Sequence, residues 1–274
     1  MLRNPIIHIV SCSPRSGTTL FQEVMTTCFD VQLSYPSEKS IFRTEMIDDG
    51  VTVTKHPEEV FYMKYLLAIE PRLHVVYLSR DPRDVVSSVH KGSLSNGYFT
   101  NIKKWMEYQQ EFEKIKGHPR VVEVKYNEFV SQPDKVQQQL VKTYPFLIKK
   151  QSFSSYHKSA SPSEASLVAM NDLRPISTKS LGSWKKNLPR IKQQLSVCPA
   201  LTDILVKYGY EDNKDWLKDL DGVTPDGKND GEFKSIYSLK IRYRIYRKCF
   251  WYFIDRWLLS PAVAFLRQCK GAVS

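Results

Sequence analysis

The stretch PIIHIVSCSPRSGTT, residues 5–19, decides the fold. It begins with a continuous apolar run at residues 5–12, which is typical of a strand buried on both faces in a parallel sheet. Helical spacing of apolar residues follows from Thr19 to Phe29, and Gly17 stands in the turn between the two patterns. The stretch therefore predicts a strand, a tight loop and a helix, whose first N–H groups form a cradle for an anion.

This loop differs from the P-loop of nucleoside-triphosphate enzymes, which has a glycine, four free positions and then Gly-Lys-Ser/Thr. With Gly17 as the second glycine, the first falls on Cys12 and the lysine position falls on Thr18. We expect Arg15 to supply the positive charge that the missing lysine would have supplied. Four residues are expected to supply backbone N–H groups: Ser16, Gly17, Thr18 and Thr19. An ordinary turn after a buried strand is the alternative interpretation.

Strand and helix signals alternate further along the chain. Strands are predicted at residues 51–54, 73–79 and 121–125, and helices at residues 58–69, 84–89 and 133–144. This alternation predicts an α/β fold of three layers (αβα), with helices on both faces of a central parallel sheet. Ligands of such sheets bind at the carboxyl ends of the strands.

Basic charge is concentrated near the C-terminal end of the 274 residues. The net charge is +11, and residues 234–270 hold nine Lys or Arg against Asp255 as the single acid. Between Leu239 and Leu259 the basic residues alternate with Ile, Tyr, Phe and Trp, which predicts a helix that binds an anionic membrane surface. A helix packed on the rest of the chain is the alternative. No nucleic-acid partner is expected, because no module that reads nucleic acid accompanies the charge.

The five cysteines and the first residues bear on the compartment. The cysteines lack both Cys-x-x-Cys spacing and neighbouring histidine pairs, so neither a zinc site nor a disulfide framework is expected. No signal peptide or N-terminal membrane anchor is visible. These features predict a cytoplasmic protein, with peripheral membrane binding as an additional possibility through its basic end.

A second anion site is predicted at YLSRDPRDVVSSVHK, residues 77–91. Arg80 stands where a buried strand ends, and Asp81-Pro82 opens a helix. Ser88 is expected about one turn into that helix, where its hydroxyl can reach the anion held by the Arg80 guanidinium. Two anion sites on one edge of a sheet fit a nucleotide with phosphates at both ends.

These motifs together resemble those of the sulfotransferases that use 3′-phosphoadenosine 5′-phosphosulfate (PAPS). PRSGTT resembles the family's 5′-phosphosulfate loop, and RDPRDVVSS resembles its 3′-phosphate motif, with Arg80 and Ser88 at matching positions. YNEFVSQP at residues 126–133 and LGSWKKN at residues 181–187 resemble two later family segments. The likeness spans most of residues 5–190.

The resemblance implies a P-loop-like sulfotransferase fold, PAPS as co-substrate, and an acceptor hydroxyl or amine on a glycan, lipid or small molecule. It also implies no metal, because a sulfuryl group carries less charge than a γ-phosphate and the family works without one. We expect a sulfotransferase domain at residues 1–220 and a basic, aromatic-rich helical segment at residues 234–274. Residues 221–233, rich in Gly, Asp and Pro, are predicted to be a linker.

The resemblance also suggests residues for the chemistry. Lys55 is the candidate for the cation at the leaving phosphate, because the family commonly carries a lysine in this region. Glu38 and His56 are alternatives for the general base. Bacterial and glycan-modifying members carry a glutamate in the loop of Glu38, whereas the cytosolic branch has Lys-Thr-His where this chain has Lys55-His56. Three further candidates are better explained as surface or packing residues: Glu45, His90 and His8.

The segment STKSLGSW, residues 177–184, matches the family's closing loop but lacks its Arg-Lys-Gly run. Lys179 and Arg174 are the candidates here for contacts to the 3′-phosphate. Acceptor specificity is expected in the loops at residues 35–50 and 92–100. Two other functions stay open on the sequence: a diverged P-loop kinase or NTPase that needs ATP and Mg²⁺, and a non-catalytic membrane adaptor that binds a nucleotide.

Overall fold

The computed structural model of the protein describes residues 4–45, 47–89, 98–228, 235 and 237–259. Within these residues, parallel strands form a central sheet in the order β2-β3-β1-β4-β5. The strands are β1 (Ile6–Ser11), β2 (Leu33–Ser34), β3 (Thr52–Lys55), β4 (Leu73–Ser79) and β5 (Val121–Lys125). The predicted α/β fold with a central parallel sheet is confirmed.

The apolar runs predict the sheet closely. β4 and β5 have the predicted bounds, β1 is one residue shorter at each end, and β3 begins and ends one residue later than predicted. β2 was not predicted, because a strand of two residues, Leu33 and Ser34, is too short to show an alternating pattern.

Helices cover both faces of the sheet, as predicted for three layers. Ile7 and Ile9 of β1 pack with α1, α5 and α6, whereas Ile6 and Val10 pack with α2, α4, α8, α9 and α10 on the opposite face. Because β1 is buried on both faces, its continuous apolar run is the pattern expected for this position. The α-helices are α1 (Thr18–Cys28), α2 (Val60–Ile69), α3 (Pro82–Val86), α4 (Ile102–Glu113), α5 (Tyr126–Ser131), α6 (Pro133–Thr143), α7 (Glu164–Met170), α8 (Leu188–Val197), α9 (Leu201–Lys207) and α10 (Leu239–Ile254).

The helix predicted at residues 84–89 has the wrong bounds. α3 ends at Val86, and Val89 forms an isolated antiparallel bridge with Tyr98. The chain therefore leaves the helix before Ser88, which lies in the turn after α3 and not one turn inside a helix.

The basic C-terminal helix is present as α10, and one of its faces packs on the rest of the protein. Ile245, Cys249 and Tyr252 are buried in the core beside α2. The Tyr252 hydroxyl donates a hydrogen bond to Glu70 Oε2 at 3.1 Å. The packing interpretation of this segment is therefore correct for one face of the helix. None of the helices in the described ranges combines the length and the apolar character that crossing a membrane requires.

The loop between β1 and α1 is fixed by a contact with the first residue of α5. Gly17 has φ +91°, and a Cβ at this position would overlap the ring of Tyr126. Both the left-handed backbone and the approach of the ring require glycine. The contact joins two parts of the chain that are more than 100 residues apart.

We expect Gly17→Ala to lower the free energy of unfolding more than Gly117→Ala does. Gly117 has φ +83°, and a Cβ added there would have no neighbouring atom within 4 Å, so alanine at this position costs only the left-handed backbone strain, about 1–2 kcal/mol. Displacement of the Tyr126 ring adds about 1–3 kcal/mol at Gly17. Urea denaturation of both variants measures the difference, and equal losses would contradict the Tyr126 contact.

Candidate functional site

Three strand ends meet at one edge of the sheet. β1 lies between β3 and β4, with Ile9 paired with Lys55 and Ser11 paired with Leu78. The loop of residues 12–17, the chain after Lys55 and the chain after Ser79 therefore leave the sheet side by side. This is the edge at which parallel sheets bind ligands.

The loop after β1 is closed by its own serines. The hydroxyls of Ser11 and Ser16 each donate a hydrogen bond to the carbonyl oxygen of Ser13, both at 2.7 Å. Ser16 is buried, and its oxygen also lies 3.0 Å from the sulfur of Cys12. The Ser16 hydroxyl thus stabilises the loop, and its backbone N–H is the group left for an anion.

Lys55 lies against the start of α1. Its Nζ donates a hydrogen bond to Thr19 Oγ1 at 2.9 Å, and the residue is buried. Burial lowers the pKa of Lys55, while the nearby carboxylates of Glu38 and Glu23 act in the opposite direction. The structure therefore places a desolvated amine beside the predicted phosphate loop.

Arg80 joins the first motif to the closing loop. Its guanidinium donates hydrogen bonds to the carbonyl oxygens of Arg15, at 3.2 Å, and Ser180, at 2.9 Å. It also lies 4.3 Å from the centre of the Tyr126 ring, a cation–π contact. The Nε atom is buried, and no hydrogen-bond acceptor reaches it within the described part of the chain.

Arg15 and Ser88 connect the two predicted anion motifs directly. Arg15 Nε donates a hydrogen bond to Ser88 Oγ at 3.2 Å, and its guanidinium lies 5.5 Å from the Phe99 ring centre. Burial and, secondarily, the positive charge of Arg80 lower the pKa of Arg15. Two guanidinium groups thus face one region, an arrangement that an anion between them would stabilise.

A pocket of about 450 Å³, here called the strand-end pocket, opens between these motifs. Its lining includes most of the predicted site residues: Arg15, Gly17, Thr18, Thr19, Glu38, Arg80, Ser88 and Lys179. Ser16 and Lys55 lie outside this lining, but Lys55 reaches it through Thr19. His56 does not line the pocket and contributes instead to a neighbouring cavity.

The charges around the strand-end pocket favour an anionic ligand. Arg15, Arg80, Arg174 and Lys179 line it, against Glu38 and Asp172. Its volume lies within the usual range of about 300–1,000 Å³ for small-molecule sites. The lining therefore fits an anionic small molecule. In the described ranges, no group of three or more His, Cys, Asp or Glu residues is arranged to hold a metal ion.

The remaining base candidates occupy different environments. His8 is buried within β1, with Nδ1 2.7 Å from Thr54 Oγ1 and Nε2 3.2 Å from a carboxylate oxygen of Glu59. These partners make His8 a packing residue, as expected. Glu45 is exposed and lies 3.8 Å from the Lys39 amine. His90 lies outside the described residues.

Asp84 holds residues 182–184 beside the strand-end pocket, a role that the sequence did not indicate. Its carboxylate accepts hydrogen bonds from Gly182 N at 3.2 Å, Ser183 Oγ at 2.9 Å and Trp184 N at 3.0 Å. It also lies 3.7 Å from the Arg80 guanidinium. The closing loop is thereby attached to the second anion motif, although the two quoted motifs gave no sign of this connection.

Tyr126 is the second residue that was missed. Its ring lies against Gly17 and under Arg80, and its hydroxyl lies 3.0 Å from Ser180 Oγ. The position is the first letter of YNEFVSQP, so the resemblance marked the segment without indicating the role. Tyr126 connects the loop, the second anion motif and the closing loop.

Comparison with known proteins supports the class that the motifs predicted. A family model described as the sulfotransferase family matches residues 22–144, a span that contains RDPRDVVSS. This match confirms the sulfotransferase family as the one that the chain resembles. Among curated proteins, no significant match is found.

Solved sulfotransferases also resemble the chain. Mouse sulfotransferase SULT7A1, complexed with PAP, is 13% identical over 73% of this chain and 84% of that chain, with a TM-score of 0.46. The sulfotransferase domain of the Synechococcus PCC 7002 olefin synthase is 12% identical over 67% of this chain and 89% of that chain, with a TM-score of 0.42. Likenesses of this size carry no argument about individual residues.

We expect Asp84→Asn to loosen the closing loop. The carboxylate is buried and accepts three hydrogen bonds, and an amide that replaces it leaves donors without an acceptor, at a cost of about 1–3 kcal/mol. Urea denaturation measures this loss, and hydrogen exchange should quicken at the amides of Gly182 and Trp184. Asp203→Asn is the matched control, because that exposed carboxylate pairs with Lys214 at the surface and should contribute less than about 1 kcal/mol. Identical behaviour of the two variants would contradict the anchoring role.

Proposed function

We propose that the protein transfers a sulfuryl group from PAPS to a hydroxyl or amine of an acceptor. The observation that carries this proposal is the meeting of two anion-binding motifs in one pocket, with Thr18 at the start of α1 and Arg80 and Ser88 after β4. A nucleotide with phosphates at both ends fits this arrangement, because each motif binds one end. The sulfotransferase family match over residues 22–144 supports a sulfuryl donor.

Lys55 is proposed to stabilise the leaving group. During transfer, the acceptor oxygen or nitrogen forms a bond to sulfur while the bond from sulfur to the bridging oxygen breaks, and the electron pair remains on the departing bisphosphate. A cation near that oxygen stabilises the charge that develops there. The contact of Lys55 Nζ with Thr19 at the start of α1 supports this role.

Glu38 is proposed as the general base that accepts the acceptor's proton. Glu38 lines the strand-end pocket, as Thr19 does, and its carboxylate lies close enough to Lys55 to oppose the lowering of the Lys55 pKa that burial causes. The loop is held at the end of β3 by a hydrogen bond from Lys39 N to Lys55 O at 2.9 Å. His56, on the other side of this segment, is the alternative base.

Replacement of the Glu38 carboxylate by an amide distinguishes Glu38 from His56 as the general base. Glu38→Gln should lower kcat about 10²–10⁴-fold, because that is the usual contribution of a general base. Its affinity for adenosine 3′,5′-bisphosphate, measured by calorimetry, should stay near that of the unchanged protein. Glu45→Gln is the matched control, since Glu45 is exposed at a nearby position and should leave kcat unchanged. Near-normal turnover of Glu38→Gln, together with loss of turnover in His56→Gln, would move the role to His56.

The proposed reaction has a direct test. The protein is incubated with radiolabelled PAPS and a fractionated cell extract, and the labelled product is identified. Transfer should proceed in the presence of a metal chelator. Transfer of phosphate from labelled ATP that depends on Mg²⁺ would favour the kinase alternative instead, and nucleotide binding without transfer to any fraction would favour the adaptor.

We also propose that the segment at residues 234–270 binds an anionic membrane surface. α10 has an exposed apolar stripe with spacings of four and three residues: Leu239, Tyr243, Tyr246, Phe250 and Phe253. Tyr243 and Phe250 are 66% and 57% exposed. Lys240 and Arg242, also exposed, would attract anionic lipid headgroups. An apolar stripe beside basic residues is the pattern of helices that lie in the membrane interface.

We expect Tyr243→Ser combined with Phe250→Ser to weaken binding to vesicles that contain phosphatidylserine. Complete burial of one such side chain contributes about 1.5–3 kcal/mol. If the membrane buries about half of each side chain, the two residues together contribute about 1.5 kcal/mol, and their loss weakens binding about tenfold. Vesicle co-sedimentation measures it, and Ile148→Ser, which removes an exposed side chain elsewhere, is the control. Substitution is preferred to truncation because the opposite face of α10 belongs to the core. Equal sedimentation of the double variant and the unchanged protein would contradict the proposal.

A further inference from the structure

A second cavity of about 550 Å³, here called the helix cavity, lies beside the strand-end pocket. Two short segments line both spaces. In the first segment, Glu38 lines the strand-end pocket and Ser40, two residues later, lines the helix cavity. In the second segment, His56 lines the helix cavity and the next residue, Pro57, lines the strand-end pocket. The two spaces therefore share a wall, and a molecule in the helix cavity lies next to the proposed base.

Another part of the lining of the helix cavity comes from α10. Ile241, Arg244, Ile245 and Lys248 line it. This helix is held in place by the burial of Ile245 and by a hydrogen bond from the Tyr65 hydroxyl to the Tyr246 hydroxyl at 3.0 Å. α10 is thus a fixed wall of the cavity.

The charged residues of the helix cavity leave a surplus of cations. Its cations are Arg43, Lys104, Arg244 and Lys248, and its acids are Glu58 and Glu59. Lys104 Nζ is paired with Glu58 at 3.1 Å, and Lys248 Nζ lies 3.9 Å from Glu59. Within the described ranges, neither Arg43 nor Arg244 has a carboxylate in ion-pair contact. Two guanidinium groups are therefore available for an anion.

Glu59, the second acid of the helix cavity, already has several hydrogen-bond partners. The Glu59 carboxylate accepts a hydrogen bond from Ile41 N at 2.8 Å and contacts the hydroxyl of Ser40 and the imidazole of His8. These hydrogen bonds keep the pKa of Glu59 below its ordinary value despite burial. Glu59 thus stabilises the segment of Ser40 and Ile41 and makes no ion pair with Arg43 or Arg244 within the described residues.

Apart from Ser40 and His56, the remaining lining of the helix cavity is apolar or aromatic. Its apolar lining consists of Phe61, Tyr62, Tyr108, Ile241 and Ile245. Such a surface accommodates a hydrocarbon or ring system, while the few polar groups orient it. The cavity combines a surface for an apolar body with cations for an anionic group.

We propose that the helix cavity is the acceptor site, and that the acceptor is an amphiphile with an anionic group bound by Arg43 and Arg244 of this chain. The apolar part of the acceptor lies between the aromatic residues and α10. Its hydroxyl or amine reaches Glu38 where the helix cavity adjoins the strand-end pocket. This inference rests on the proposed function, because it names the substrate class for the same reaction. It gives α10 a role in selecting the acceptor.

Decyl phosphate, used below its micelle concentration, is a probe for this site. Its affinity is measured by calorimetry for the unchanged protein, for Arg244→Gln and for Arg247→Gln, with adenosine 3′,5′-bisphosphate present at saturation so that the strand-end pocket is occupied. Arg247 is the matched control, because it is exposed on the same helix but does not line the helix cavity. We expect Arg244→Gln to weaken binding about tenfold or more, since a hydrogen bond to a charged group is lost. Arg247→Gln should change it less than about twofold. Decanol, which lacks the anionic group, should bind more weakly than decyl phosphate.

The failures of the two proposals are distinguishable. Equal effects of the two arginine substitutions, equal affinity for decanol, or no binding of decyl phosphate while the bisphosphate binds would overturn the acceptor proposal. No affinity of the unchanged protein for adenosine 3′,5′-bisphosphate would overturn the proposed function itself. The affinity of Arg244→Gln for the bisphosphate should equal that of the unchanged protein, which also establishes that the variant is folded.

Discussion

The pairing of β1 with β3 on one side and with β4 on the other is the constraint on which the rest of the structure depends. It brings the chain after Ser11, Lys55 and Ser79 to one edge of the sheet. Burial of β1 on both faces fixes this arrangement, because a shift of register would move its apolar side chains out of their layers. The loop, the amine and the guanidinium of the site are therefore consequences of one strand's position.

The site gathers positive charge at some electrostatic cost. Arg15 lies near Arg80, and Lys55 is desolvated beside Thr19; burial lowers the pKa of both Arg15 and Lys55. Carboxylates offset this charge in part: Asp84 lies 3.7 Å from the Arg80 guanidinium while also accepting hydrogen bonds from the closing loop, and Glu38 and Glu23 oppose the lowering of the Lys55 pKa without reversing it. An anionic ligand would relieve the repulsion, and anything that binds the folded state selectively also stabilises it.

The local pattern of the sequence was sufficient for β1, β3, β4 and β5 and for the loop and helix that follow β1, but not for β2. β4 and β5 have the predicted bounds to the residue, and Arg15, Gly17, Thr18 and Thr19 line the strand-end pocket between β1 and α1. The predicted bounds of α3 were wrong because the helix ends at Val86 and Val89 pairs with Tyr98, a bridge that no periodicity reveals. The roles of Tyr126 and Asp84 were missed for the same reason, since each acts on residues about 100 positions away. Packing against α2 also decides which face of α10 is buried and which is exposed. The composition of α10 does not determine this packing.

The central claim is that the loop at Gly17 and the motif of Arg80 and Ser88 bind opposite ends of one nucleotide. Calorimetry on Ser88→Ala, with adenosine 3′,5′-bisphosphate and with adenosine 5′-monophosphate, tests it most directly. If Ser88 contacts the 3′-phosphate, the affinity for the bisphosphate falls about tenfold, the usual effect of losing a hydrogen bond to a charged group, while the affinity for the monophosphate is unchanged. Equal losses for both nucleotides, or no loss for either, would contradict the account.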